Sequence, residues 1–567
     1  MQEVQQETKK CKNCDSLFDI TQSDIDIYKK LSPIFGGSRY DIPYPALCPD
    51  CRQQRRLAFR TERKLYKRKC DITGKNLISV YSPNNNDIVY EYDYWWSDKW
   101  DAIDYGVNFD FSKTFFKQIQ DLSLKVPKPH IEISFSENCE FTNQSGYNKN
   151  SYLIFEAGYN ENCLYSRSIR HSTNTIDVLY TRNAHNCYEC IDCENIYNVK
   201  FSYRVNDSKD SQYLFDCNNC EYCIGCWNLI GKKYFILNKQ YTKKEYEEFL
   251  IKFNTDSNFR KNFIDDLHKK KIKLGINKNL NNLLSQNVLG DGIISSKNSL
   301  GYNIKESEDC RYCYDVYLSE TCMDYTYWGN NASLIYECLN VGNGAHKTIF
   351  CLSCYDNVDN LIYCINCVNN SSNCFGCVGL KNKSYCIFNK QYSKDEYEIL
   401  VPQIIAHMQK TGEWGEFFPP NIFTFGYNNT VAMEYYPLTK EQALEKLFLW
   451  DDYEQEISKV EKIISANKLP DNIKDIPDDI LNRIIECEIT KKPFRIIKQE
   501  LEFYRKHNLP IPRKSFDQRH LERMQQKNQR KLFDRKCDKC GNDIKTTYPP
   551  EMKGKVYGAK CYDEEIY

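Results

Sequence analysis

One property limits the folds open to this chain more than any other: its middle repeats. ENC stands at Glu137 and again at Glu161, HNC follows at His185 and KDS at Lys209, 24 residues apart each time. Between these markers run NSYLIFEAGYN, NTIDVLYTRNA and NVKFSYRVND, where Tyr, Phe, Ile and Val alternate with polar residues and Asn, Asp and Gly act as punctuation. That is the pattern of short strands separated by turns. A fixed period of this length implies stacked units, each about 4.8 Å above the last. The expected fold class is mainly β: a parallel β-helix or similar β-solenoid. A second array starts near residue 308, with EDC before Arg311, NNA at 330–332 and LSC ending at Cys354, here 22 residues apart. The arrays end alike. CEYCIGCWNLIGKKYFILNKQYTKKEYEEFL and SSNCFGCVGLKNKSYCIFNKQYSKDEYEIL align at a constant offset of 151 residues. Each closes in a short charged helix, which covers strand edges that would otherwise stay unpaired.

The chain has 567 residues and 29 cysteines. A disulfide framework belongs to small secreted domains. Here the count is odd, and the start MQEVQQETKKCKNC has neither an apolar h-region nor a small-residue cleavage site. Reduced thiols in a cytoplasmic protein, some holding metal, are the expectation. The formal net charge is zero, so no global field steers the chain to nucleic acid, and no apolar stretch is long enough for a membrane span. In DCNNCEYCIGCW, Cys217, Cys220, Cys223 and Cys226 stand three apart, one rung after Cys187, Cys190 and Cys193; Cys351, Cys354, Cys364, Cys367, Cys374 and Cys377 recur in the second array. Small, apolar cysteines can line a narrow interior. The alternatives are additional metal ions or an iron–sulfur cluster, whose usual run ends C-x3-C-P; here Cys226 follows after two residues and Trp227 comes next.

The termini carry the metal signal. CKNC (Cys11, Cys14) and CPDC (Cys48, Cys51) offer four soft thiolates, the donor set of a closed structural zinc site. A basic run follows at 52–69, with nine Lys/Arg and one acid. Arg52, Arg55, Arg56, Arg60, Arg63 and Lys64 are its candidates for phosphate contact; a solvated charged face is the plainer reading. The C-terminus repeats this layout. Cys51 to Cys70 is as long a stretch as Gln518 to Cys537, and Cys70 to Tyr94 is as long as Cys537 to Cys561. Each end therefore reads as two consecutive zinc-ribbon-like modules. The second N-terminal module keeps only Cys70, with Thr73 in its partner's place, and the first C-terminal one keeps only Cys487. The last has Cys537, Cys540 and Cys561, with Gly558 in place of a fourth cysteine; a water or a carboxylate such as Asp563 could complete it.

WWSDKWDAIDYGVNFDF (95–111) is dense in aromatic and acidic residues, Asp98, Asp101, Asp104 and Asp110 among them. It reads as a docking surface between the zinc segment and the first rung rather than an acid–base site. Residues 437–480 read as helix, with Thr439 and Gln442 forming a capping box. His130, His171, His185 and His346 read as structural. No phosphate-binding loop, dinucleotide fingerprint, nucleophile elbow or H-E-x-x-H helix occurs, and no catalytic residue is assigned.

CPDCRQQRR, CDITGK with YSP, YWWSDKWDAIDYG, FCLSC, NCFGCVGLKNKSYCIFNKQYS, CEITKKPFRIIKQELEFYRKHNLPIP and QRHLERM together resemble a family of cysteine-rich, zinc-ribbon-containing proteins common in ultrasmall candidate-phylum (CPR/Patescibacteria) bacteria. The resemblance covers nearly the whole chain. It implies zinc binding and an intracellular bacterial setting, and it points to no reaction. Members typically carry a completed cysteine pair where this chain has Gly558.

The expected order is tandem modules over 1–94, an aromatic-acidic connector over 95–136, the first array with its cap over 137–250, a partly helical linker over 251–300, the second array with its cap over 301–400, a helical connector over 401–486 and a second module pair over 487–567. One or two zinc ions are expected. The leading functional expectation is a non-enzymatic zinc protein that binds nucleic acid through the basic segments. A protein–protein scaffold built on aromatic solenoid walls is the alternative, and a solenoid enzyme with paired carboxylates comes third.

Overall fold

The computed structural model describes residues 5–308, 310–316, 320–323, 326–329, 333–340, 342, 344–454 and 463–567. It is mostly sheet, dominated by two 11-stranded, almost wholly parallel sheets. In the first, each strand pairs in parallel with the segment twelve positions on: Asn143 with Phe155, Phe155 with Arg167, Arg167 with Leu179 and, further along, Tyr197 with Lys209 and Lys209 with Glu221. The period of the sequence markers is thus two ladder steps.

Within a step a shorter rhythm operates. Positive φ recurs at every third residue, as at Asn138, Phe141, Gln144, Tyr147 and Asn150. A left-handed L-residue costs about 1–2 kcal/mol, least for Asn and Asp, whose short side chains bond locally. Hence the punctuation: Asn162, Asn174 and Asn186 form one column, each passing an amide hydrogen bond to the next at 3.1 and 3.4 Å. The residue after a left-handed position commonly faces the interior. Ile154, Ala157, Cys163, Ile169 and Val178 are all buried in one cluster. Serines there accept backbone N–H groups from the step above, Cys163 N to Ser151 Oγ at 3.1 Å and Cys220 N to Ser208 Oγ at 3.0 Å. They also donate to carbonyls two residues back, as Ser151 does to Lys149 at 2.9 Å. These serines are therefore satisfied without leaving the ladder, whereas Thr142 Oγ1 and Ser145 Oγ near its start are buried without a partner among the described residues.

The second ladder follows half of the 22-residue spacing only at its start. It begins in the stretch assigned to the linker, where Leu283 pairs with Ile294 and Ile294 with Lys305, eleven positions apart. Later steps are longer by two, Ser333 to His346 to Asp359 to Ser372, and the last, Ser372 to Ser384, is intermediate. NNA at 330–332 lies outside the described residues. Both ladders end in an antiparallel hairpin and a helix, Lys243–Thr255 or Lys394–Thr411, started by equivalent capping boxes of Thr242 with Glu245 and Ser393 with Glu396.

The expected long helix over 437–480 is also corrected. The Thr439–Gln442 capping box starts a helix that runs only over Lys440–Glu445. Leu447 takes a left-handed conformation, which no α-helix continues through. From 463 to 482 the chain forms a short strand, Ile463–Ser465, and then 3₁₀ turns, such as Asp478–Asn482.

The chain divides into two compact units, each from two separated stretches: Met1–Ile131 with Leu280–Tyr453, and Glu132–Asn279 with Glu454–Tyr567. Each terminal arm thus belongs with the ladder distant from it in sequence. No described helix is long and apolar enough to cross a membrane.

Candidate metal centres

The two arms contain four copies of one local structure. A knuckle closes at Cys11, Cys70, Cys487 and Cys537, whose N–H donates to Ser16 O, Lys75 O, Lys492 O and Asn542 O at 2.8–3.0 Å. Each knuckle is followed at a distance by a helix: Pro49–Leu57, Tyr92–Trp96, Phe516–Gln525 and Ala559–Ile566. The N-caps of these helices, Cys48, Glu91, Ser515 and Gly558, occupy the third ligand position. Backbone N–H groups of Cys48, Glu91 and Gly558 donate to the first sulfur of their modules at 3.3 Å, and Ser515 does the same to Cys487. This explains which cysteines survive. The first-position sulfur is buried and hydrogen-bonded in all four modules. It stays useful where no metal group remains, while the other positions become Thr73, Glu91 and Tyr94, or Thr490, Ser515 and Gln518.

Two modules keep a set of cysteines that could hold a metal ion. The sulfurs of Cys11, Cys14, Cys48 and Cys51 lie within 4.8 Å of one another, and so do those of Cys537, Cys540 and Cys561. These are the cysteines that the spacing singled out as candidate ligands, and the fold gathers them. Four sulfurs at this spacing fit a tetrahedral thiolate site for an ion such as zinc. In the first group one thiol is held low while two of its neighbours are pushed up, Cys51 by its hydrogen bond with Cys48 and Cys14 by burial. Asn13 donates to Cys51 Sγ at 3.2 Å, and hydrogen bonding from the Cys51 thiol holds the Cys48 thiol down to about 5. In the second group burial opposes ionisation of Cys537, yet the N–H groups of Cys540, Gly558 and Lys539 outweigh it and hold that thiol down to about 7. Asp563, the suggested fourth ligand, instead pairs with Lys278 at 2.9 Å.

The ladder cysteines answer to the backbone. Cys187, Cys190, Cys193, Cys217, Cys220, Cys223 and Cys226 are each interior and donate to the carbonyl two residues back, at 3.2–3.5 Å. The last four occupy successive three-residue positions within a single ladder step, so the spacing in DCNNCEYCIGCW is the ladder's own rhythm. Burial pushes Cys226 up to about 12 and Cys217 well above the usual thiol range. Cys220 is shifted the other way, its thiol lowered by its contacts with Cys217 and Cys223.

The basic segment requires a correction. Of the six candidates for phosphate contact, Arg52, Arg55, Arg56 and Arg60 are buried, Arg63 is half-buried and Lys64 is exposed. Arg55 pairs with Glu337 at 2.6 Å and Arg56 lies 3.9 Å from the same carboxylate. Arg60 bonds Glu62 and Asn340, Arg52 donates to Leu47 O at 2.9 Å, and Arg63 is 3.9 Å from Glu434. The helix Phe516–Gln525 and the residues just after it repeat the scheme on the first ladder. Arg519 and Arg523 each reach Asp177 at 2.9 Å, Arg523 also reaches Glu189 at 3.2 Å, and Lys527 pairs with Asp192. Glu189 and Glu337 stand four residues after His185 and Ser333, and Asp192 and Asn340 seven after them, at left-handed corners of corresponding ladder steps. The basic stripes are docking strips for the ladders.

The aromatic-acidic segment docks as expected, but on the end of the second ladder. Lys381 donates to Trp95 O at 2.7 Å and Ser97 O at 3.1 Å, Asp101 pairs with Lys383 at 2.6 Å, and Asn389 donates to Ala102 O at 2.9 Å. His130 sits 2.6 Å from Ile78 O and His346 2.7 Å from Asp359. Both are structural. Sequence reasoning missed the acids and amides that receive the arms, Asp177, Glu189, Asp192, Glu337 and Asn340, because each reads locally as turn punctuation.

Glu500 lies in the same cluster, accepting from Tyr165 at 2.9 Å and Tyr504 at 2.8 Å. Burial pushes Glu500 and Glu189 up to about 7. Folded pKa values above the unfolded ones mean that these groups stabilise the fold fully below about 4.5, and that this contribution is lost as pH rises through about 7. The unit holding them should therefore resist urea better at pH 5.5 than at pH 8, and Glu500→Gln should flatten the trend. Greater resistance at pH 8 would mean that the ionised pairs dominate.

No protein-family model matches the chain, and no curated protein matches it.

Proposed function

We propose that this chain is a zinc-binding, non-catalytic scaffold. In this reading each ladder is a β-solenoid, each arm is locked to its ladder by a basic helix, which a metal ion organises in the N-terminal arm alone, and the exposed solenoid wall meets a protein partner. What carries it is the fate of the charged and aromatic side chains. The basic helices are buried against ladder acids, while Phe135, Tyr147, Tyr159 and His171 stack in one column with ring centroids 5.1, 4.7 and 5.0 Å apart. The first three remain 80%, 50% and 53% exposed. A pre-ordered row of rings offers apolar area at low entropic cost, as interface anchors do. Nucleic-acid binding is the weaker reading, since Lys64 is the exposed member of its six residues.

The test is a triple variant, Phe135→Ser with Tyr147→Ser and Tyr159→Ser. It should keep one to two zinc ions per chain and its circular dichroism, yet lose capture of one defined protein partner at about 0.5 M salt, where surface charge attraction is screened. Retention of nucleic acid that falls steeply with salt and is lost in Lys64→Glu would favour the other reading.

A further inference from the structure

The two metal groups differ at one coordination position, and the difference is built into the backbone. Where the N-terminal group has Cys48, the C-terminal group has Gly558, a residue with no side chain, at the N-cap of Ala559–Ile566. Nearby acids do not fill the gap. Asp563 pairs with Lys278 at 2.9 Å, and Glu564 and Glu565 pair with Lys539 at 3.7 and 3.1 Å. Among the described residues, the group that gathers within 4.8 Å consists of three sulfurs. It also lies open: Cys540 is exposed and Cys561 half-exposed, whereas three of the four N-terminal sulfurs are buried.

We propose that the C-terminal group holds its ion on three protein thiolates and takes its fourth ligand from solution, a small thiol being the preferred class. This rests on the zinc-binding reading above. An ion of the zinc type seeks four-coordination. Three thiolates select a soft ion, and a soft ion favours sulfur over water for the remaining place. The exchange is balanced: a thiol R–SH loses its proton to solvent, its sulfur bonds to the ion, and one water leaves. The N-terminal group, with four protein sulfurs, has no place for such an exchange. The two sites then divide the work, one closed and structural, the other open to a ligand.

The test uses the full chain, purified without oxygen and loaded with cobalt(II), whose visible spectrum reports the number of bound sulfurs. Two ions per chain are expected. Millimolar β-mercaptoethanol should raise the sulfur-to-cobalt absorption by the increment of one thiolate per chain. That increment should vanish in Cys540→Ser while the N-terminal signal stays. In Gly558→Cys the second ion should show four sulfurs with no thiol added. The position accepts a side chain, because φ is −60° and an added Cβ meets only Ile544 Cγ2, at 3.2 Å. Two bound ions with a spectrum indifferent to thiol would overturn the inference, as would a second ion that already carries four sulfurs. Loading of the N-terminal site alone would overturn it while leaving the zinc reading intact; no loading at either site would overturn both.

Discussion

Replacing Asp177 with asparagine should destabilise its unit by about 3 kcal/mol. Asp177 is fully buried and shared by two guanidinium groups, Arg519 and Arg523, each at 2.9 Å and each almost fully buried. Its backbone is left-handed, with φ 59°, a conformation that asparagine tolerates, so the substitution removes charge without adding backbone strain. Breaking a buried pair by removing one partner costs about 3–5 kcal/mol, because the other charge is left uncompensated. The lower end applies here, since Glu189 and Glu500 remain near the arginines, at 3.2 and 3.6 Å. Asp207, an exposed left-handed corner of the same ladder, is the control, and Asp207→Asn should stay within about 0.5 kcal/mol. Urea unfolding combined with limited proteolysis of residues 498–536 reads both. A loss under about 1 kcal/mol in Asp177→Asn would mean that the arm is not held through this cluster.

Stripping the N-terminal metal should have the larger effect. Structural zinc contributes about 10–16 kcal/mol of apparent binding free energy in small zinc domains, and there it is folding free energy. Cys51 and the arginines that dock on Glu337 belong to one helix, Pro49–Leu57. Loss of the ion at the start of that helix should free its first turn and leave Glu337 buried without its partner. Chelation, or Cys48→Ser, should therefore open the arm to protease between residues 11 and 60, and metal return should close it. Cys487→Ser is the contrast. That sulfur accepts backbone N–H groups in a module with no metal set, so a hydroxyl should cost only about 1 kcal/mol, the worth of one ordinary hydrogen bond. Equal losses in Cys48→Ser and Cys487→Ser would show that the N-terminal group does not act as a metal site.

Much of this architecture was legible before any coordinates. Cysteine spacing picked out both sulfur groups, since a knuckle is a local turn and its paired cysteines must stand with two residues between them. The match between the arms was visible as equal spacings, and it reappears as equal hydrogen bonds: Val89 N and Val556 N both donate to an aspartate, Asp71 and Asp538, at 2.7 Å. The ladder was legible as a period but not as its true unit, because the sequence markers fall on alternate steps. The step of the second ladder changes along its length, and this hid its first part, where small Ser and Gly positions replace the cysteines and aromatics that signal a strand.

The amino-acid order by itself determined the local devices: left-handed corners at Asn and Asp, small interior positions, capping boxes and cysteine knuckles, each set by residues within a few positions of one another. Only the tertiary structure decided what the charged stripes are for. Arg55 and Glu337 are 282 positions apart, and Arg523 and Glu189 are 334. A run of arginines looks the same in sequence whether it faces phosphate, water or a carboxylate. What it does depends on which acid the fold brings to it, because burial strengthens that one pairing and removes the others.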